Sequence, residues 1–212
     1  EQGKPIPIIL RLFHENTDRW FWWGNSIHSC PFAIFPTTRA QCRRREHQEY
    51  VDLWRYTVNY LQLKGVHNLL YTYSPDCFDS KREYLWKYPG DNFVDVLGVD
   101  CYEDSVEDFI DSVSILVKMA SKKKKVAAIT ETGEKGLSNS SYWTDNFLSP
   151  IKNNHIARNI SYALVWRNSP NKPNHIFAPH PGHHSSNNFQ EMERDSFILF
   201  EQDLPNMYRP QN

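Results

Sequence analysis

The sequence predicts an α/β chain built on the (β/α)8 TIM barrel plan, with about five βα units. Three observations predict it. Five short apolar runs recur at 7–13, 68–73, 93–99, 126–129 and 160–166; longer segments of helical period lie between them; and a polar cluster follows each run.

The runs are rich in Val, Ile, Leu and Tyr without strict alternation, as in strands buried on both faces of a parallel sheet. After the first, an aromatic cluster of Trp20, Phe21, Trp22 and Trp23 leads into residues 25–45, which show no clear pattern. The segment 46–63 then places Tyr50, Leu53, Trp54, Thr57, Val58 and Leu61 on one helical stripe. Between the third and fourth runs, 106–121 does the same with Phe109, Ile110, Val113, Leu116, Val117 and Ala120. The lysines at 122–125 close that segment, where cations suit a helix C-terminus. Further helices are expected at 144–156 and 194–203. A doubly wound sheet would also put chemistry at its strand ends, but no Gly-rich phosphate loop follows any run. A complete barrel takes about 250 residues. The first run starts almost at residue 1, so roughly three N-terminal units are expected outside this chain, supplied by a preceding segment or a partner piece.

The runs end in His14 and Glu15; in Ser74, Pro75 and Asp76; in Asp100, Cys101 and Tyr102; in Thr130 and Glu131; and in Trp166 and Arg167. In a barrel these ends converge on one mouth. Glu15 and Glu131, three βα units apart, face each other across it. That is the pair a retaining glycosidase needs, one carboxyl protonating the leaving oxygen and the other attacking the anomeric carbon. Tyr102 is placed to hydrogen-bond the nucleophile, and Asp100 to bind a hydroxyl or orient His14. Trp20, Trp23 and Trp166 are candidates for stacking on sugar faces, with Arg167 beside them. His14 and Glu15 lack the second His of a zinc-binding helix, since Asp18 stands there. His180, His183 and His184 sit in a Pro/Gly-rich loop without a carboxylate at ligand spacing, so no metal and no cofactor are expected.

These residues carry a family resemblance. The stretches RLFHE at 11–15, WFWWG at 20–24, LWRYTV at 53–58, GVHNLL at 65–70, YSPD at 73–76, YPGD at 88–91, DVLGVDCY at 95–102, TETG at 130–133 and VWRN at 165–168 resemble glycoside hydrolase family 26, chiefly its β-mannanases. The resemblance implies a barrel that hydrolyses with retention and without metal. Glu15 would be the acid/base and Glu131 the nucleophile, and His14, Asp100, Tyr102 and Trp166 would shape the subsite of the reacting mannose. Trp20 would lie on the aglycone side. The implied substrate is mannan, glucomannan or galactomannan, cut internally at β-1,4 bonds. The alternatives are the same fold acting on β-1,3-1,4-glucan or β-1,3-xylan, or a carbohydrate-binding fragment without turnover. Residues 25–45 depart from the family as a divergent or inserted loop.

Composition agrees with a sugar-binding chain: 14% of residues are aromatic, including 7 Trp. The net charge of −1 supplies no field to draw nucleic acid, and no apolar stretch is long enough for membrane insertion. Four cysteines are too few for a disulfide scaffold. Cys30 and Cys42 could close a loop, and four free thiols are the other reading. Secretion, or a periplasmic or cell-surface location, is expected from the polymeric substrate.

Overall fold

The computed structural model describes residues 5–25, 39–102 and 105–205. Among them, five strands form one parallel sheet in sequence order: β1 (Ile8–Arg11), β2 (Leu69–Tyr73), β3 (Val96–Asp100), β4 (Val126–Thr132) and β5 (Ala163–Val165). Consecutive parallel order with helices in the connections is a curled section of a (β/α)8 barrel, as the periodicity predicts.

Helix α1 (Arg39–Leu63) follows β1, and α3 (Val106–Lys123) follows β3. The predicted stripes are the faces they bury. Tyr50, Trp54 and Val58 of α1, and Phe109, Val113 and Leu116 of α3, enter one core with Tyr73, Leu97 and Ile129 of the sheet. Ser105 caps α3 by accepting from the Asp108 N–H, and Lys124 ends it in the left-handed conformation. The lysine run does more than complement a helix end. Lys123 donates to the Asp91 carboxylate at 2.7 Å and Lys125 to the Asp91 carbonyl at 2.8 Å, tying α3 to the loop before β3.

Four expectations need correction. Helix α1 begins at Arg39, inside the stretch read as a loop, so Arg44 and Arg45 lie on it. The segment 144–156 is a π-helical stretch, Tyr142–Leu148, followed by the short helix α4 (Ser149–Asn153). The expected helix at 194–203 is displaced: α5 spans Ser186–Glu193, and only Glu201–Asp203 form a 3-10 turn. Asp195 accounts for this. Its carboxylate accepts the Phe197 N–H at 2.9 Å and pairs with Lys152, a side-chain alternative to the helical ladder. Cys77 and Cys101 form a disulfide, which neither cysteine reading foresaw. They stand just past the ends of neighbouring strands β2 and β3. Cys30 and the side chain of Cys42 lie outside the described residues.

Candidate active site

The site is built where strands end. β3 and β4 run in register from Val96 opposite Val126 until an irregularity at Val99 and Asp100 sets Asp100 beside Glu131. The shift brings two carboxylates together where regular pairing would not. Gly98 makes it possible. A Cβ there would lie 2.6 Å from the Thr130 hydroxyl, which donates to Asp100 at 2.7 Å.

Glu131 is buried, with 3% of its surface exposed. Tyr102 donates to its Oε2 at 2.7 Å, and Arg11 donates to its Oε1. The same guanidinium reaches Asp100 Oδ2 at 3.1 Å and the Thr130 carbonyl at 2.8 Å. Both carboxylates are thus fixed in direction by one cation from β1. Burial pushes the Asp100 carboxyl well above the usual carboxylate range, while Arg11 and Thr130 pull the other way.

Glu15 sits past β1 on a turn of unusual backbone. Phe13 and Glu15 both adopt positive φ, 47° and 51°, at a cost of about 1–3 kcal/mol each. The Glu15 N–H donates to the Ser74 carbonyl at 2.9 Å, and its Oε2 accepts the Trp20 indole N–H at 2.7 Å. Burial raises its pKa from 4.5 to about 7, with Asp76 and Glu131 adding to the rise and Trp20 and Arg11 opposing it. Glu15, Asp100 and Glu131 each place a carboxylate oxygen within 4.8 Å of the others. Arg11 already supplies positive charge between two of them.

A cleft of about 1260 Å³ opens over the pair. His14, Glu15, Trp20, Tyr102, Glu131, Trp166 and Arg167 line it, so seven of the nine predicted site residues converge there. The other two stand behind it. Asp100 is buried, its Oδ1 accepting from Thr130 and its Oδ2 from Arg11. Trp23 stacks on Phe21 at 4.4 Å and donates to the His14 carbonyl. Burial, and then Arg11, lower the pKa of His14, so its ring favours the neutral form. Sequence reasoning did not assign Arg11 to the site; the available signal was a lone cation inside an apolar strand. It also missed Phe177, which packs edge-on against Tyr102 at 5.7 Å from a loop far along the chain.

A parallel barrel sheet presenting two carboxyls of contrasting burial from separate strand ends, across an aromatic-walled cleft, defines a protein of the barrel glycosidase class. The chain belongs to glycosyl hydrolase family 26, whose sequence profile matches residues 1–185. It is similar to a family 26 β-mannanase of Bacteroides ovatus, with 36% identity and a TM-score of 0.80 over 99% of this chain and 56% of that one. A Cellulomonas fimi endo-β-1,4-mannanase double mutant gives 33% identity and a TM-score of 0.81, covering 96% of this chain and 44% of the other. A mannan endo-1,4-β-mannosidase of Bifidobacterium adolescentis is 42% identical over 146 residues, which are 63% of this chain and 13% of that protein. The chain thus spans about half the length of these solved structures and less of the curated relative.

Proposed function

We propose that this chain carries the catalytic pair of a retaining, endo-acting β-1,4-mannanase, with Glu15 as acid/base and Glu131 as nucleophile. The observation that carries the reading is the pairing of a carboxyl with a pKa of about 7 and a buried carboxyl aimed by Tyr102 and Arg11, with oxygens within 4.8 Å. Spacing this short favours double displacement, since inverting pairs need about 6.5–9.5 Å for an intervening water. The mannan preference rests on the names of the relatives.

In the first step Glu131 attacks the anomeric carbon while Glu15 gives its proton to the departing glycosidic oxygen. A glycosyl ester forms on Glu131, and Glu15 is left ionised. The ester is neutral, so burial still raises the pKa of Glu15 but the like charge of Glu131 that added to the rise is gone, and the pKa falls. Glu15 then takes a proton from water, which attacks the same carbon from the face the leaving group vacated. Glu131 departs and the product has the β configuration of the substrate. Trp166 forms the floor under the reacting sugar, Trp20 lies on the leaving-group side, and His14 and Arg167 contact hydroxyls.

We further propose that a segment completing the barrel adjoins β1 and β5, the outer strands, where Ile8, Ile9 and Leu164 are exposed. Action outside the cell is supported by the Cys77–Cys101 disulfide, a bond rare in reducing compartments.

The test is Glu15→Ala on two leaving groups in the full-length protein. Mannan hydrolysis should collapse. An aryl β-mannoside with an acidic phenol should give a burst followed by slow turnover, which azide restores as a β-glycosyl azide. Equal loss on both substrates with no azide effect would remove Glu15 from the role.

A further inference from the structure

The turn that carries Glu15 is held from three sides by side chains outside the cleft. Tyr50 Oη, on α1, donates to the Phe13 carbonyl at 2.9 Å. The Trp23 indole N–H donates to the His14 carbonyl at 2.8 Å. Lys87 Nζ, from the loop after the short helix α2 (Lys81–Tyr84), donates to the Asn16 carbonyl at 2.9 Å. The Asn16 side-chain amide closes the network by donating to Tyr50 Oη at 2.9 Å. Carbonyls on both sides of Glu15 are therefore each fixed by a different element of the fold.

Lys87 is the unexpected member. Its residue surface is 1% exposed, a burial that lysine almost never accepts without compensation. Its ammonium lies 5.4 Å from the centre of the Tyr50 ring, a cation–π contact, and feels the Glu46 carboxylate from α1. Burial lowers its pKa to about 8. A core position of this kind would ordinarily take an apolar side chain. What the lysine supplies instead is a charge-assisted hydrogen bond to the residue after Glu15, on a turn whose left-handed backbone needs outside restraint.

We propose that Lys87, with Tyr50, is a positioning residue for the acid/base: it fixes the turn at Asn16 and thereby the direction in which Glu15 delivers its proton. This rests on Glu15 being the acid/base. Neither residue lines the cleft, so their removal should leave substrate affinity nearly intact. The effect should instead depend on how much the leaving group needs a proton. A purely structural role would lower stability and the amount of active protein, affecting all substrates alike.

The experiment compares Lys87→Met and Tyr50→Phe with Glu15→Ala in the full-length protein, on mannan and on an aryl β-mannoside with an acidic phenol. Lys87→Met keeps the stem and removes the charge. Tyr50→Phe keeps the ring and removes the bonds to Phe13 and Asn16. Both should lower kcat on mannan by about ten- to a hundredfold with little change in KM. The burst rate on the aryl substrate should fall less than about threefold. If Glu15→Ala shows the leaving-group selectivity and the two variants show none, the positioning role is overturned. If Glu15→Ala itself shows none, the acid/base assignment fails instead. Should Lys87→Met not fold, Tyr50→Phe decides by the same criterion.

Discussion

Removing the indole N–H of Trp20 should raise the pH at which the enzyme loses activity. In Trp20→Phe the aromatic face stays, but the 2.7 Å bond to Glu15 Oε2 is gone. That bond stabilises the charged carboxylate, so it opposes the burial that raises the pKa of Glu15 to about 7. Without it the pKa rises further. A hydrogen bond to a charged group contributes about 1.5–3 kcal/mol when shielded. Trp20 is largely exposed and solvent competes for the carboxylate, so about 1 kcal/mol is realistic, which moves the titration up by roughly 0.7 on the pH scale. With a pKa of about 7, roughly one Glu15 in ten is protonated at pH 8; after the change the fraction is about one in three. The alkaline limb of kcat/KM on mannan reads this directly, because it follows the free enzyme. Absolute rates fall if Trp20 also stacks on a sugar, but the limb should still shift upward. A limb that stays in place or moves down would refute the coupling of Trp20 to the acid.

Two further outcomes follow from the same charges. Arg11→Met leaves Asp100 and Glu131 buried without their counter-charge, so stability should fall by about 3–5 kcal/mol at neutral pH. The deficit should shrink near pH 4, where the Asp100 carboxyl, pushed up by burial, is protonated and needs no partner; urea unfolding at both pH values checks it, and equal losses would contradict it. Glu15→Gln should stabilise the protein at pH 8. The folded state binds this proton more tightly than the unfolded one, so stability is lost as pH rises from 4.5 through about 7, and a neutral amide avoids that loss. Allowing for partial exposure the gain is about 1 kcal/mol, a Tm higher by about 2–4 °C at pH 8 and unchanged at pH 4. A gain that is equal at both pH values would argue against the raised pKa.

The strands and the two glutamates were legible because a buried parallel strand is an uninterrupted apolar run, and the point where it stops marks the mouth of the barrel. Tyr102 was legible for the same reason, since it follows β3 directly. Arg11 was not. Inside a strand a cation reads as an edge position, and only the approach of β3 and β4 turns it into the partner of Asp100 and Glu131. The Cys77–Cys101 bond required knowing that β2 and β3 are neighbours in register, which places residues just past their ends side by side. The partners of Asp100 were not legible, because sequence shows that it ends a strand but not which way the local irregularity turns it. Lys87 was invisible for a similar reason: it lies in a loop, and only the fold brings the Tyr50 ring of α1 and the Asn16 carbonyl to its ammonium.

The assignment of Glu131 is the claim on which the whole account depends, and trapping the glycosyl ester tests it most directly. A 2-deoxy-2-fluoro β-mannosyl donor with a good leaving group forms the ester quickly and releases it slowly, because fluorine destabilises the positive charge of both transition states. Peptide mapping by mass spectrometry should find the fluorosugar on Glu131 alone, and on no peptide of Glu131→Gln. Label on Glu15 or Asp100, or inactivation without any covalent sugar, would contradict the account.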